Sequence, residues 1–231
     1  MHDATVPTHP RFEGRRVLVT MADRYTGPAV AAMFRSGGAD VIEDRDSHRD
    51  PDGPVRAVEA AGRVDIAVIN LIARFRAGPA TDTTDETWLR IFDTLVHPTM
   101  RFVRALLPQM IERRAGKIVV VTSAAPLRTM PGADAYTAAR AAQNAYVATV
   151  GAEVARHNVQ INAIAQAYVE SVDAFQRDTW DTDSMARQLR RVPARRIAHA
   201  SEQAELVAFL ASPASDFICG QIVPFAGGWA T

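Results

Sequence analysis

Cysteine is almost absent from this chain, which has one, Cys219, among its 231 residues. A single cysteine cannot form a disulfide within the chain, and such sparing use suits a reducing compartment. An excess of charge of one sign is lacking as well, because 26 lysines and arginines balance 26 aspartates and glutamates. We therefore expect no general affinity for nucleic acid or for an anionic membrane surface.

Long apolar runs and metal-ligand patterns are also lacking. No stretch approaches the roughly 18 consecutive apolar residues of a membrane-spanning helix, and the six histidines have no ligand-like spacing, so we predict no metal. Residues 1–12 are polar and lack the apolar core of a signal peptide, so we expect an N-terminal arm on a cytoplasmic protein. Residues 13–231, in a chain that is 48% hydrophobic, suit one domain.

Short apolar runs alternate with longer helical patterns throughout that domain. Strands are predicted at residues 17–19, 40–42, 66–70, 117–121, 159–164 and 221–225. Helices are predicted from Pro28 to Gly37 and at residues 84–113, 135–157 and 202–211. The alternation predicts an α/β, doubly wound, Rossmann-like fold, a parallel sheet with helices on both faces. The stretch between Val41 and Asp65 is short and rich in proline, so we expect an abbreviated connection without a full helix.

Three residues predict chemistry at the carboxyl edge of this sheet, where open α/β proteins bind ligands. Ser123 follows the 117–121 strand, Tyr136 comes 13 residues later, and Arg140 shares a helix face with Tyr136. Tyrosine, with a pKa of about 10, is a poor base at neutral pH, but a neighbouring cation favours its phenolate. Arginine supplies that charge and stays protonated itself, so it cannot relay protons.

Four features of the chain carry a resemblance: Ser123, Tyr136, the strand NVQINAIAQ and the GGW tail. Through them the chain is similar to the short-chain dehydrogenase/reductase superfamily over nearly its whole length. Its members carry a Ser-Tyr-Lys set and a Thr-Gly-x-x-x-Gly-x-Gly turn that lets the backbone approach a pyrophosphate. Here Arg140 replaces the lysine, and Met21 and Tyr25 replace two glycines. Further departures from the superfamily pattern are Asp23 in the turn, Asn70-Leu71-Ile72-Ala73 for Asn-Asn-Ala-Gly, and Leu95 or Val96 for an active-site asparagine. All of them fall on cofactor-handling features, so we predict that the nucleotide site is filled in and that no cofactor is used.

One branch of the superfamily, the halohydrin (haloalcohol) dehalogenases, has a Ser-Tyr-Arg triad and a Thr-x-x-x-x-(Phe/Tyr)-x-Gly turn. Thr20, Tyr25 and Gly27 match that turn. The His97-Pro98 pair, ARHNV at residues 155–159 and the GGWAT ending most resemble the B-type members.

The resemblance implies a lyase that converts a vicinal halohydrin to an epoxide with release of halide and a proton, and that opens epoxides with azide, cyanide or nitrite in reverse. It implies Ser123, Tyr136 and Arg140 as the catalytic residues. A halide and substrate pocket is implied at Met21, Tyr25, Gln166, Ala167 and Tyr168. The 166–190 segment would be the substrate loop, and the protein would be a homotetramer.

Two other functions remain open at this point. The first is an NAD(P)-dependent reductase with a degenerate turn, in which Arg24 meets a ribose phosphate. The second is a non-catalytic protein that senses a ligand on the same fold. Phe175, Trp180 and Met185 either shape the pocket or pack in the core. For Asp65 we expect a structural capping role, and for Trp229 a contact with another subunit or with a neighbouring pocket.

Overall fold

The computed structural model describes residues 11–173 and 183–230. Six parallel strands form one sheet in the order β2-β1-β3-β4-β5-β6. The strands are β1 (Arg16–Val19), β2 (Asp40–Glu43), β3 (Ile66–Asn70), β4 (Gly116–Ser123), β5 (Val159–Gln166) and β6 (Ile222–Phe225). The predicted Rossmann-like α/β fold is confirmed.

The described helices cover both faces of the sheet. They are α1 (Gly27–Ser36), α2 (Gly53–Ala61), α3 (Asp85–Arg113), α4 (Asp134–Val154), α5 (Asp183–Leu189) and α6 (Ala200–Leu210). The nine-residue helix α2 corrects the expectation of a connection without a full helix. Pro54 stands in its first turn, where proline favours helix initiation, and Val58 and Ala61 are buried.

The strands bury both of their faces, because successive side chains point to opposite sides of the sheet. Leu18, Ala67, Ile69, Ile118 and Val120 pack in one hydrophobic cluster, against residues of α2, α3 and α4. The alternate strand residues Val17, Val19, Ile66, Val68, Val119 and Val121 pack in a second cluster, against residues of α1 and α6. These two layers hold the carboxyl ends of the strands rigidly at one edge.

Phe12, the last residue of the predicted N-terminal arm, packs against α1. Phe12 is 3% exposed, its ring centroid lies 4.8 Å from that of Phe34, and its amide donates to the Gly37 carbonyl at 2.7 Å. A Cβ on Gly37 would lie 2.8 Å from Cδ2 of Phe12, so glycine makes this close approach possible. The rest of the predicted arm, residues 1–10, lies outside the described residues.

Within residues 11–173 and 183–230, no helix is long and apolar enough to cross a membrane. The same ranges contain no group of three or more histidine, cysteine, aspartate or glutamate side chains arranged to hold a metal ion.

Candidate active site

A cavity of about 260 Å³ opens at the carboxyl edge of the sheet. Its lining consists of Tyr25, Phe75, Ser123, Ala125, Met130, Tyr136, Gln166, Ala167, Tyr168, Gln188 and Trp229. Of the three predicted catalytic residues, Ser123 and Tyr136 line this cavity and Arg140 does not, and four of the five predicted pocket residues line it. The exception is Met21, which packs against the hydrophobic cluster beneath the cavity and is absent from the described lining.

Ser123 is the last residue of β4, so the sheet fixes its position. Its side chain is 7% exposed, and Oγ accepts a hydrogen bond from the Ala125 amide at 3.1 Å. Because the oxygen accepts on that side, the hydroxyl proton can be donated to an oxygen in the cavity.

Tyr136 lies in the first turn of α4, between an aromatic ring and a cation. Its ring stacks on Phe75, with 4.5 Å between the ring centroids and 21° between the planes. The Cζ atom of Arg140 lies 5.2 Å from the centroid of the Tyr136 ring. The predicted pairing across one helical turn is therefore present.

Arg140 is 1% exposed and hydrogen-bonds to uncharged oxygens. Nη1 donates to the Val121 carbonyl at 3.2 Å and to Gln143 Oε1 at 2.9 Å, and Nη2 donates to the Leu71 carbonyl at 3.0 Å. Among the described residues, no carboxylate forms an ion pair with it. A buried cation without a carboxylate partner is costly, and the ring that lies against this one is that of Tyr136.

A relay of two glutamines orients the hydroxyl of Tyr25. Gln203, which is 0% exposed on α6, donates through Nε2 to Gln166 Oε1, and Gln166 Nε2 donates to the Tyr25 hydroxyl oxygen. Because the hydroxyl oxygen of Tyr25 accepts from Gln166, the hydroxyl proton of Tyr25 points away from Gln166 and can be donated to another group. Burial raises the pKa of Tyr25, and Tyr136 raises it further, while Arg140 and Gln166 act to lower it. Tyr25 therefore stays a phenol and a donor.

The turn at residues 20–27 is closed by contacts within the protein. Asn70 Nδ2 donates to the carbonyl oxygens of Met21 at 3.3 Å and Arg24 at 3.1 Å. Oδ2 of Asp173 accepts from the Tyr25 amide at 2.9 Å, and Oδ1 accepts from Arg24 Nη1 at 2.9 Å. Met21 and Tyr25 adopt positive φ of 45° and 55°. The turn holds side chains where glycines would let a phosphate approach.

A dinucleotide pyrophosphate does not fit these residues. In a nucleotide site the amides at the helix N-terminus bind phosphate, whereas here the Tyr25 amide is bound to a carboxylate that is 6% exposed. Because Asp173 already accepts from this amide, the amide is not available to a phosphate oxygen at the same place. Arg24, the residue that favours the reductase alternative, pairs with the same Asp173 carboxylate.

The structure describes most of the remaining residues that were named from the sequence. Asp65 caps the start of β1 by accepting from the Arg16 amide at 3.0 Å and pairs with Arg63. Trp229 lines the cavity, and its carbonyl accepts from Arg128 at 2.8 Å. Leu95 is buried on α3 and supplies no side-chain amide. Met185 lies on α5, and Phe175 and Trp180 lie outside the described residues.

Sequence reasoning missed several residues that contribute to this site: Phe75, Gln143, Asp173 and Gln203. Phe75 follows the carboxyl end of β3, so its strand position could have indicated a ligand contact. Gln203 is a polar residue on a helix face that is otherwise apolar, and Gln143 is buried on α4 beside Arg140 and Asn144. A buried polar residue signals a buried partner. No local pattern marks Asp173.

A family model described as "Enoyl-(Acyl carrier protein) reductase" matches residues 11–230. The chain belongs to this family, within the short-chain dehydrogenase/reductase superfamily. It is 30% identical over 173 residues to "Dehydrogenase/reductase SDR family member 4" of Bos taurus, a match that spans 74% of this chain and 61% of that protein. It is 28% identical over 247 residues to "3-oxoacyl-[acyl-carrier-protein] reductase FabG" of Thermotoga maritima, a match that spans 94% of this chain and 98% of that one.

Solved structures of two activities superpose on the chain. A protein titled "Dehalogenation enzyme" aligns with a TM-score of 0.89 and 27% identity, covering 95% of this chain and 100% of that one. "Halohydrin dehalogenase (HheC) bound to ethyl (2S)-oxiran-2-ylacetate" aligns with a TM-score of 0.86 and 26% identity, covering 94% and 97%. A 3-oxoacyl-[acyl-carrier protein] reductase with bound NAD from Brucella melitensis aligns with a TM-score of 0.86 and 25% identity, covering 96% and 93%.

Proposed function

We propose that the protein is a cofactor-independent halohydrin dehalogenase, a lyase that closes vicinal haloalcohols to epoxides. The observation that carries the proposal is the closed turn, in which Asp173 binds the Tyr25 amide where a reductase would bind pyrophosphate. The reductase relatives and the dehalogenase structures share the fold. A reductase needs a turn that can bind a nucleotide, and the proposed dehalogenase reaction does not.

Tyr136 is the proposed base. The buried charge of Arg140 favours the phenolate, which takes the hydroxyl proton of the substrate. Ser123 donates its hydroxyl proton to the same substrate oxygen and holds that oxygen beside the neighbouring carbon. The oxygen then attacks this carbon, the new C–O bond closes the epoxide, and the C–halogen bond breaks with its electron pair leaving on the halide. The proton on Tyr136 passes to solvent.

The leaving halide, or the azide, cyanide or nitrite of the reverse reaction, is proposed to lie on the Tyr25 side of the cavity. Tyr25 offers a hydroxyl proton there because Gln166 already occupies its oxygen as a donor. Ala167 and Tyr168 complete the wall.

The test is halide release from 1,3-dichloro-2-propanol, in which the hydroxyl and each chlorine are on neighbouring carbons, and from its bromo analogue. The assay is run at mildly alkaline pH without nucleotide. We expect release by the parent protein and a loss of about 10²–10⁴-fold in Tyr136→Phe, which removes the base. Tyr146→Phe serves as the matched control, since Tyr146 lies on the same helix and is absent from the described cavity lining.

The opposite outcomes each favour a named alternative. Quenching of intrinsic fluorescence by NADPH together with carbonyl reduction would make the protein a reductase and overturn the proposal. Failure to turn over any halohydrin or carbonyl compound would favour the ligand-sensing alternative.

A further inference from the structure

Gln143 is a fully buried glutamine that the mechanism above does not use. It lies on α4, one turn beyond Arg140, and is 0% exposed. Its Oε1 accepts from Arg140 Nη1 at 2.9 Å. Its Nε2 donates to the Leu95 carbonyl at 3.0 Å and to Thr99 Oγ1 at 2.7 Å. Gln143 therefore joins helix α3 to the buried cation.

The contacts on α3 determine which way the Gln143 amide faces. The Leu95 carbonyl oxygen can only accept, so the group against it must be the NH₂ end of the amide. Thr99 Oγ1 gives its own proton to Leu95 at 2.7 Å and can therefore accept from Gln143. Both contacts turn the amide oxygen toward Arg140.

The Gln143 amide is uncharged, so it does not offset the positive charge of the Arg140 guanidinium. A carboxylate at the same place would form an ion pair with Arg140 and cancel its field. The other two described acceptors of Arg140 are backbone carbonyls of Val121 and Leu71, which are neutral as well. Gln143 is the one described side chain that hydrogen-bonds to Arg140.

We propose that Gln143 is a positioning residue whose neutral amide holds the Arg140 guanidinium against the Tyr136 ring without neutralising it. The inference rests on the proposed function, in which the Tyr136 phenolate is the base. The titratable groups in the described lining besides Tyr136 are Tyr25, from the turn after β1, and Tyr168, from the segment after β5. The charged groups on α4 itself are Asp134, in the same turn as Tyr136, Arg140, and Glu153 near the other end of the helix.

The first test is Gln143→Glu, which is nearly isosteric and adds the missing negative charge. We expect kcat at neutral pH to fall about tenfold, with little change in KM, and to recover as the pH rises, because more alkali is then needed to form the phenolate. Gln109→Glu is the matched control. Gln109 accepts from Arg113 Nη1 at 2.9 Å, the same pairing with residues that the described cavity lining does not include.

The second test needs no substrate. The near-ultraviolet absorbance of the Tyr136 phenolate is titrated in each protein and isolated by subtracting the Tyr136→Phe spectrum, which is practical with four tyrosines in the chain. We expect the signal to appear at higher pH in Gln143→Glu than in the parent and in Gln109→Glu. Thr99→Val, which removes an acceptor of the Gln143 amide, should shift the signal in the same direction by less and covers the case in which Gln143→Glu does not fold.

An unchanged phenolate titration in whichever of these two variants folds would overturn the role of Gln143, even in an active dehalogenase. A shifted titration without halide release would instead refute the dehalogenase proposal and leave the role of Gln143 standing.

Discussion

At the scale of single residues, buried polar side chains organise the site. Arg140, Gln203 and Asn70 are each at most 1% exposed, and each is bonded to groups from another element. A buried polar group that loses its partner costs about 1–3 kcal/mol, so each contact strongly favours one arrangement. The outcome is a cavity whose phenols differ in role: Tyr136 touches a cation, whereas burial raises the pKa of Tyr25 and of Tyr168.

Replacing Tyr25 by phenylalanine removes the proposed halide donor and keeps the ring. We expect Tyr25→Phe to weaken product inhibition by bromide and to lower kcat by about 10–100-fold, since one hydrogen bond to a developing anion is lost. Steady-state rates with and without added bromide measure both effects. Tyr146→Phe is the control, and unchanged bromide inhibition in Tyr25→Phe would refute the assignment of Tyr25.

At the scale of elements, the start of α6 bears on the site because the next turn carries Gln203. His199 and Glu202 form a capping box, and both carboxylate oxygens of Glu202 accept from Arg196 at 2.6 Å. The Arg196 guanidinium, with the His199 amide, lowers the pKa of Glu202 to about 2, against a smaller opposing effect of burial. This carboxylate therefore anchors the helix while it is ionised.

The stability that Glu202 contributes depends on pH in a defined direction. The carboxyl of the unfolded chain titrates at about 4.3, above the folded value, so the contribution is complete above that pH and disappears as the pH falls toward 2. We expect Glu202→Gln to lower the free energy of unfolding by about 0.5–1 kcal/mol at neutral pH, a small amount because the side chain is 38% exposed. Denaturant unfolding at several pH values measures it, and a difference from the parent that does not shrink in acid would contradict this account.

At the scale of the whole molecule, apolar residues remain on the outer face of α3. Leu89 is 56% exposed and Trp88 is 39% exposed, and the Trp88 ring stacks on Phe92 with 5.0 Å between the centroids. Contiguous exposed apolar surface typically marks an interface. We propose that this face takes part in a homotetramer, the assembly that the resemblance implies.

Charge placed on that face should separate the subunits. We expect light scattering to give the mass of four chains for the parent and a smaller assembly for Trp88→Glu combined with Leu89→Arg, because charged groups resist burial. Glu59→Lys, on the exposed face of α2, is the control and should leave the mass unchanged. A parent protein with the mass of one chain would rule out the tetramer.

The sequence by itself determined those features that depend on residues close together in the chain. Continuous apolar runs such as residues 117–121 predicted strands that are buried on both faces of the sheet. Their alternation with helical patterns along the chain predicted the α/β fold class. The spacing of Tyr136 and Arg140 predicted their contact, because four residues make one helical turn. Ser123 could be placed because the end of its strand defines the ligand edge of the sheet.

Only the tertiary structure decided which distant residues support them. Asp173 binds the Tyr25 amide across 148 positions, Gln203 reaches Gln166 across 37, and Gln143 reaches Thr99 across 44. Hydrophobic periodicity indicates which face of an element is buried, but it does not identify the polar group on another element that a buried side chain contacts. Met21 turned toward the hydrophobic cluster instead of the cavity for a similar reason: its direction follows from a positive φ and from bonds to Asn70, and both arise only when the turn packs against β3.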